Sequence, residues 1–269
     1  MGSEDCGCDR LWREDRVYVI ADAGSNHAGR LDLALKLIEA AKFADADAVK
    51  FQLYRLRDLF RDPIKNSDYP VLDPAWLPAI YDKAATLEID FLCTPFSPWA
   101  ADLLRPYVKY WKIGSFEAKD PDLFKATMDK TRIISLGMMG GEDAKKLIEI
   151  ADPKTIFMHC VSKYPTPMNE LCLNRLHWLK TLTPYVGFSD HGEWFFIPAL
   201  AVAIGARVLE RHLKLAVPDQ PPTPDAGAHA SDPFAFKHYV QKAKMGLEAV
   251  GVKDFRLPEA PANRRLHGQ

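Results

Sequence analysis

The amino-acid sequence predicts a single-domain α/β protein built as a (β/α)8 barrel, also called a TIM barrel. Short apolar segments rich in β-branched residues alternate along the chain with segments of helical periodicity, which is typical of βα units around a parallel sheet. Eight such segments can be counted. Together they occupy about 235 residues, the usual size of this barrel, and they leave no room for a second domain.

The predicted strands are four or five residues long. They are Val17–Ala21, Ala48–Gln52, Phe91–Thr94, Tyr110–Gly114, Ile133–Gly137, Ile156–Cys160, Val186–Ser189 and Val208–His212. A doubly wound open sheet is the alternative fold. It is disfavoured because no Gly-x-Gly-x-x-Gly turn follows the first strand, which also argues against a dinucleotide cofactor.

The predicted helices fill the intervals between these strands. They are Leu31–Phe43, Pro74–Leu87, Pro98–Leu104, Pro121–Met128, Gly141–Ile150, Asn174–Leu182, Trp194–Ile204 and Pro233–Val250. Several begin at or next to a proline, which suits the first helical turn because the missing N–H has no intrahelical partner there. The Pro-, Ala- and Gly-rich stretch Val217–Ala230 predicts a long loop after the last strand.

The predicted organisation is a flexible N-terminal segment over residues 1–16, the barrel over residues 17–256 and a tail over residues 257–269. Lys and Arg total 35 against 36 Asp and Glu, a net charge of -1, so we expect no nucleic-acid partner. No apolar run is long enough to span a membrane or to act as a signal peptide. The five scattered cysteines predict reduced thiols, and we expect a cytoplasmic protein without membrane attachment.

Barrels of this type carry their chemistry at the carboxyl ends of the strands. Polar residues are concentrated there in this sequence. They are Asp22, Ser25, Asn26, His27, Lys50, Gln52, Thr94, Lys112, Ser115, Glu117, Ser135, His159, Ser162, Ser189, Asp190, His191, Glu210, His212 and Lys214.

Two lysines among several hydroxyl groups suit a ligand with phosphate and carboxylate groups, because ammonium groups supply charge and hydroxyls supply directed donors. Lys50 and Lys112 could equally form ion pairs at the rim of the barrel. His191 and His212 follow neighbouring strands and could hold one divalent cation or serve a structural role.

The remaining candidates are also open to two interpretations. Glu117 and Glu210 could perform acid/base work or form structural ion pairs. Asp225 lies in the last loop, either in a lid or in an ordinary turn. For His159, inside an apolar segment, a structural role is the favoured interpretation.

Several motifs are similar to those of the N-acetylneuraminate (sialic acid) synthase family. The resemblance covers about residues 17 to 250 in the family's order and spacing. The motifs are Ile20-Ala-Asp-Ala-Gly-Ser-Asn-His27, Asp47-Ala-Val-Lys-Phe-Gln52, Phe91-Leu-Cys-Thr-Pro-Phe96, Trp111-Lys-Ile-Gly-Ser115, Ser135-Leu-Gly-Met138, His159-Cys-Val-Ser-Lys-Tyr-Pro165, Gly187-Phe-Ser-Asp-His191 and Leu209-Glu-Arg-His212.

This resemblance implies condensation of phosphoenolpyruvate with an open-chain amino-sugar aldehyde, assisted by Mn2+ or Mg2+, to give a nonulosonic acid and inorganic phosphate. It implies that His191 and His212 are metal ligands and that Glu117 or Glu210 moves protons. It also implies a homodimer. The residues it assigns to phosphoenolpyruvate are Lys50, Thr94, Lys112, Ser115, Ser135, Ser162 and Ser189, and those it assigns to the acceptor side are Asp22, Gln52 and Asp225.

Four positions depart from the family pattern. Asp22 replaces Glu, Phe116 replaces Gly, Leu136 replaces Thr, and Lys214 replaces Thr. The sequence ends at Gln269, whereas sialic acid synthases normally continue into an antifreeze-protein-like domain that contacts the sugar. We therefore expect the acceptor side to differ. Two other functions stay open: a metal-dependent barrel lyase or hydrolase, and a non-catalytic ligand-binding protein.

Overall fold

The computed structural model describes residues 11–216 and 218–251, and it forms the predicted (β/α)8 barrel. All eight strands are confirmed, with ends that differ from the prediction by at most three residues. They are β1 Tyr18–Gly24, β2 Ala48–Leu53, β3 Asp90–Pro95, β4 Trp111–Ile113, β5 Arg132–Ser135, β6 Ile156–His159, β7 Val186–Asp190 and β8 Val208–His212. The parallel ladder runs β3-β2-β1-β8-β7-β6-β5-β4, and β3 lies beside β4, so the barrel is nearly closed.

The helices lie outside the barrel wall, and all but the last of them connect successive strands. They are α1 Leu31–Phe43, α2 Leu56–Leu59, α3 Leu77–Thr86, α4 Pro98–Leu104, α5 Pro121–Ala126, α6 Gly141–Ile150, α7 Asn174–Lys180, α8 Ile197–Ile204 and α9 Pro233–Val250. The predicted bounds of α1, α4, α6 and α9 are confirmed at both ends. Helices α5 and α7 end two residues earlier than predicted, within the usual fraying of a last turn. The short α2 was not predicted.

Proline explains the two helices that begin later than predicted. A helix that began at Pro74 would need an N–H from Pro78, and one that began at Trp194 would need an N–H from Pro198. Pro74–Trp76 instead forms a separate 3₁₀ turn, and α8 begins at Ile197. Both prolines then occupy the first turn of their helix, where no intrahelical donor is required.

Alternation along the strands divides the apolar residues into two layers. The outer set packs the barrel wall against the helices and includes Val19, Phe51 and Leu209. The inner set fills the lower barrel and consists of Leu11, Tyr18, Ile20, Ala48, Leu92, Tyr110, Ile133, Ile156, Met158 and Val208. Since side chains two positions apart share a face, the next inward residue on each strand lies above this inner layer.

The N-terminal segment is packed on the barrel from Leu11 onward, which differs from the prediction. Residues 1–16 were predicted to be flexible, but Leu11 is buried in the inner layer and Trp12 packs beside it against Tyr185. Residues 1–10, Val217 and residues 252–269, which include the predicted tail, lie outside the described residues. No helix in the described ranges has both the length and the apolar character that a membrane span requires.

Candidate active site

A cavity of about 530 Å³ opens at the carboxyl ends of the strands. Every residue that the sequence analysis assigned to catalysis, substrate or metal lines it. These are Asp22, Lys50, Gln52, Thr94, Lys112, Ser115, Glu117, Ser135, Ser162, Ser189, His191, Glu210, His212 and Asp225. The structure therefore brings the whole predicted set together.

Strand alternation explains why these side chains meet. Tyr18 and Ile20 belong to the inner apolar layer, and Asp22 follows them on the same face of β1. In the same way Val208 lies below Glu210 and His212 on β8. Asp22 pairs in register with Lys50 on β2 and with His212 on β8, so side chains of three strands converge at one level.

Two buried lysines and two buried carboxylates form the floor of the cavity. The Nζ atom of Lys50 is 2.8 Å from Asp22 Oδ2 and 3.9 Å from Glu210 Oε2. The Nζ atom of Lys112 lies 3.4 Å from Glu210 Oε1. It also donates a hydrogen bond of 2.8 Å to Ser135 Oγ. The formal charges of these four ionised groups cancel.

The neighbours of each group decide its protonation. Burial opposes the charged form of Lys50, but the carboxylates of Asp22 and Glu210 outweigh it and raise the pKa of the ammonium group. Burial likewise opposes ionisation of Glu210, but Lys112 and Lys50 outweigh it and lower the pKa of its carboxyl group. Burial raises the pKa of Glu117, and there the lysines are too weak to reverse the effect. The two glutamates thus have opposite character.

His191 presents one free ring nitrogen to the cavity. Its Nδ1 donates to the carbonyl oxygen of Val161 at 2.7 Å, which leaves Nε2 unprotonated in the neutral ring. Ser189 Oγ lies 3.3 Å from Nε2, but it donates its proton to Glu210 Oε1 at 2.9 Å. Burial lowers the pKa of His191 to about 3, so the ring is neutral at physiological pH. The Nε2 lone pair is available to a cation.

The loop after β8 is fastened to the loop after β1. Asn26 Nδ2 donates to the carbonyl oxygens of Leu213 at 2.8 Å and Asp225 at 3.1 Å, and its Oδ1 accepts from Thr223 Oγ1. Ser25 donates from both its backbone N and its Oγ to Asp225 Oδ2, each at 2.7 Å. Asp225 is therefore held as part of a fixed cover over the cavity.

Several strand-end residues do not line the cavity. Asp190 faces outward and pairs with Arg211, with 3.2 Å between Oδ2 and Nη1. His27 packs on Phe51 and Trp76, also away from the cavity. His159 Nε2 bonds to the carbonyl oxygen of Leu171 at 2.7 Å, so the structural interpretation of His159 is confirmed.

Two of the four residues that depart from the family pattern, Leu136 and Lys214, do not line the cavity, so the expectation that they alter the acceptor side is wrong. Leu136 follows the inward-facing Ser135, so alternation turns it into the outer core, where it is fully buried. Lys214 donates to the carbonyl oxygens of Ala226 and Gly227 at 3.1 and 3.2 Å instead of lining the cavity. Phe116 does line the cavity mouth, with 70% of its surface exposed.

The sequence analysis missed several residues that line the cavity, mainly on loops. They are Asp58, Leu59, Tyr69, Phe96, Gly114, Met138, Cys160, Tyr164, Pro224 and His229. The ring of Tyr164 packs against three histidines, with centroid distances of 4.3 Å to His191, 5.8 Å to His212 and 5.1 Å to His229. One signal could have pointed to His229, since it is a titratable side chain in the loop that follows the last strand.

The fold and the cavity define a (β/α)8-barrel enzyme, because ionisable side chains from several strands meet where such barrels carry their active sites. A family model described as the NeuB family matches residues 37–254. The chain therefore belongs to the NeuB family, and the family resemblance of its motifs is confirmed.

Two relatives and one solved structure illustrate the similarity. The chain is 31% identical over 278 residues to a pseudaminic acid synthase of Campylobacter jejuni, covering 94% of this chain and 80% of that protein. It is 33% identical over 227 residues to an N,N'-diacetyllegionaminic acid synthase of the same species, covering 74% and 68%. The structure of a sialic acid synthetase from Leptospira borgpetersenii in complex with citrate superposes with a TM-score of 0.83 at 27% identity, covering 91% and 88%. The chain is an enzyme of this synthase class.

Proposed function

We propose that this enzyme condenses phosphoenolpyruvate with the open-chain aldehyde of an amino sugar and releases inorganic phosphate. The proposed product is a nonulosonic acid, and we expect the reaction to take place in the cytoplasm. The observation that carries the proposal is the floor of the cavity, where buried Lys50 and Lys112 lie among directed hydroxyl groups. Ammonium and hydroxyl groups in this arrangement suit a small ligand with both phosphate and carboxylate groups.

The charge balance of the cavity favours a role for a divalent cation. Among the described residues that line it, Lys50 and Lys112 are the cationic side chains, and Asp22 and Glu210 already neutralise them. Asp225 adds a further, partly buried carboxylate. A multiply charged anion therefore enters a cavity without excess positive charge, and we expect a bound cation to strengthen its affinity.

The histidines fit such a cation. His191 offers a free Nε2, and the buried Nδ1 of His212 has no hydrogen-bond partner within the described part of the chain. Both residues would hold the metal in this proposal. When bound, the metal would act as a Lewis acid toward the aldehyde oxygen.

The different character of the two glutamates separates their roles. Glu117 has a raised pKa, so its carboxyl group is the better matched to proton transfer near neutral pH. Glu210 is held ionised by two lysines, and its part is to keep both ammonium groups in position. Gly114 makes room for Glu117, because a Cβ atom at Gly114 would lie 2.2 Å from Glu117 Oε2.

The test is calorimetric titration of phosphoenolpyruvate into the protein with and without Mn2+, followed by phosphate release with a panel of N-acetylated amino sugars. Lys112→Ala should abolish binding, whereas Lys119→Ala, a change at an exposed lysine, should leave it intact. Phosphate should appear only when phosphoenolpyruvate, metal and aldehyde are all present. Absence of binding in both conditions would refute the proposal, and turnover without phosphoenolpyruvate would favour a lyase or hydrolase.

A further inference from the structure

The mouth of the cavity has two chemically different halves. The loops after β6, β7 and β8 supply hydroxyl, imidazole and carboxylate groups, among them those of Tyr164, His191 and Asp225. The loops after β2, β3, β4 and β5 supply mainly apolar or aromatic side chains. These are Leu59, Tyr69, Phe96, Phe116 and Met138, and they define the apolar rim.

Two members of the apolar rim are open to the cavity and to solvent. Phe116 and Met138 expose 70% and 47% of their surface, whereas the rings of Tyr69 and Phe96 pack on Tyr54 with centroid distances of 6.0 and 5.2 Å. Exposed apolar side chains that line a cavity commonly mark contact with a ligand, because the ligand removes them from water. The family pattern has glycine at position 116, so this ring is a feature of the present chain.

The charged groups of the cavity are divided between its floor and its mouth. Among the described residues that line it, the lysine side chains are Lys50 and Lys112, and both belong to the floor. The carboxylates of Asp58 and Asp225 lie on the loops that surround the mouth. An anionic group at the mouth would therefore meet carboxylates, while the ammonium groups lie below it.

An arginine on the same loop as Asp58 does not change this balance. Arg55 Nη2 lies 3.0 Å from Asp58 Oδ1, and the Arg55 guanidinium stacks on Trp99 at 4.4 Å from the ring centroid. Arg55 is thus engaged by a carboxylate and an aromatic ring, and it does not line the cavity.

The proposed function determines which end of the acceptor reaches the mouth. Phosphoenolpyruvate is assigned to the floor, so the aldehyde carbon must lie close to the floor for the carbon–carbon bond to form. The remote end of the open-chain acceptor then points toward the mouth. Phe116 directly precedes Glu117, the proposed proton-transfer group, so the apolar rim borders the space that the acceptor occupies.

We propose that Phe116 and Met138 determine acceptor specificity by binding an uncharged, apolar group at the end of the acceptor remote from the aldehyde. A deoxy sugar that ends in a methyl group has this chemistry. The inference rests on the proposed function, and it adds the class of acceptor. A phenyl ring and a thioether gain from burying a methyl group, whereas a phosphate at the same place would be repelled by Asp58 and Asp225.

The test measures phosphate release with three N-acetylated aminohexoses of one stereochemical series that differ only at the last carbon. That carbon is a methyl group, a hydroxymethyl group or a phosphorylated hydroxymethyl group. With saturating phosphoenolpyruvate and Mn2+, kcat/KM should be about tenfold higher for the methyl than for the hydroxymethyl acceptor, because Phe116 and Met138 cannot replace the water bound to a hydroxyl. For the phosphorylated acceptor it should be lower than for the methyl acceptor by a factor on the order of a hundred.

Variants of Phe116 test its role directly. Phe116→Ala should raise KM for the methyl acceptor about tenfold, while kcat and the KM for phosphoenolpyruvate stay close to the parent values. Phe116→Leu keeps an apolar side chain and should retain most of the preference. Phe234→Ala is the matched control, since Phe234 is 68% exposed but does not line the cavity, and it should behave like the parent.

A second pair of variants tests the exclusion of phosphate. Asp58→Asn removes a charge and preserves the shape of the side chain, so kcat/KM for the phosphorylated acceptor should rise about tenfold. Asp62→Asn changes an exposed carboxylate on the same loop and should leave this value unchanged.

Two kinds of result would overturn the inference in distinguishable ways. If phosphate is released but the phosphorylated acceptor is preferred, or if Phe116→Ala affects the methyl and hydroxymethyl acceptors equally, the proposed function stands and the apolar rim does not select the acceptor. If none of the three acceptors gives phosphoenolpyruvate-dependent phosphate release, the proposed function fails and the inference fails with it. Circular dichroism melts identify any variant that does not fold, and the acceptor preference of the parent enzyme then decides.

Discussion

Replacing Asp190 by asparagine should destabilise the barrel strongly, although Asp190 does not line the cavity. Its Oδ2 lies 3.2 Å from Arg211 Nη1, and neither side chain is more than 4% exposed. Arg211 is further bonded to Ser231 Oγ at 2.7 Å and to the carbonyl oxygen of Gly192 at 2.7 Å. The amide oxygen of the new side chain would still accept from the N–H of Gly192, now 2.8 Å from Asp190 Oδ1. The amide NH2 would then replace Oδ2, so the change removes the charge and the hydrogen bond that Arg211 Nη1 donates to Oδ2.

The magnitude follows from the geometry. Opposite unit charges 3.2 Å apart attract by about 5 kcal/mol at an effective dielectric constant of about 20. Removing one partner of a buried pair costs about 3–5 kcal/mol. Because the hydrogen bonds of Arg211 to Ser231 and Gly192 survive, we expect about 3 kcal/mol for Asp190→Asn. That loss corresponds to a fall in Tm of about 6–12 °C for a protein of this size.

The assay is urea denaturation followed by circular dichroism, supported by thermal melts. Arg30 and Asp32 provide a matched control, since their side chains are 2.6 Å apart but more than half exposed. Asp32→Asn should leave the free energy of unfolding nearly unchanged, because solvent screens an exposed ion pair. In the double variant Asp190→Asn with Arg211→Met, stability should recover in part, because no charge is then buried alone. Equal losses for Asp190→Asn and Asp32→Asn would refute the reasoning.

Three further predictions concern a carboxyl group, a thiol and a loop. The raised pKa of Glu117, caused by burial, favours the folded protein below the unfolded pKa of about 4.3, and this contribution is lost as pH rises through the folded pKa. Glu117→Gln should therefore stabilise the protein at pH 8 but not below about pH 4, and equal urea midpoint shifts at both values would contradict this. Iodoacetamide should modify exposed Cys172 well before buried Cys93 in peptide mass mapping, and equal rates for these two thiols would show that the barrel wall opens. Asn26→Ala should accelerate hydrogen exchange in residues 223–231, because it removes bonds to Leu213, Thr223 and Asp225. Unchanged exchange would mean that the bonds from Ser25 and Lys214 hold the loop without Asn26.

The site residues on strands could be predicted, because the alternating pattern of a strand determines which side chains face the barrel interior. Lys50, Lys112 and Glu210 lie on strands whose apolar pattern is visible in the sequence, and parallel strands place their carboxyl ends at one level. The same periodicity also shows why Leu136 does not face the cavity. Ser135 takes the inward position, so its neighbour Leu136 must point outward into the core.

The loop-borne part could not be predicted in the same way. Tyr164 and His229 reach the cavity from segments without periodicity, so their direction depends on tertiary contacts. The sequence likewise does not reveal which ring nitrogen of a histidine is free. For His191 that depends on the carbonyl group of Val161, a residue from a different loop.

The pairing of β1 with β8 has a consequence for how the protein acquires its activity. Asp22 lies opposite Lys50 on one side and opposite His212 on the other, so the cavity combines strands from the first and the last part of the barrel. Contacts between such distant segments form late, because a long loop must close before they contribute any stability. A chain that has folded only as far as β5 has Lys50 and Lys112 in its sheet but lacks Glu210 and His212. Ligand affinity therefore reports completion of the barrel, and during refolding it should return after the secondary structure has formed.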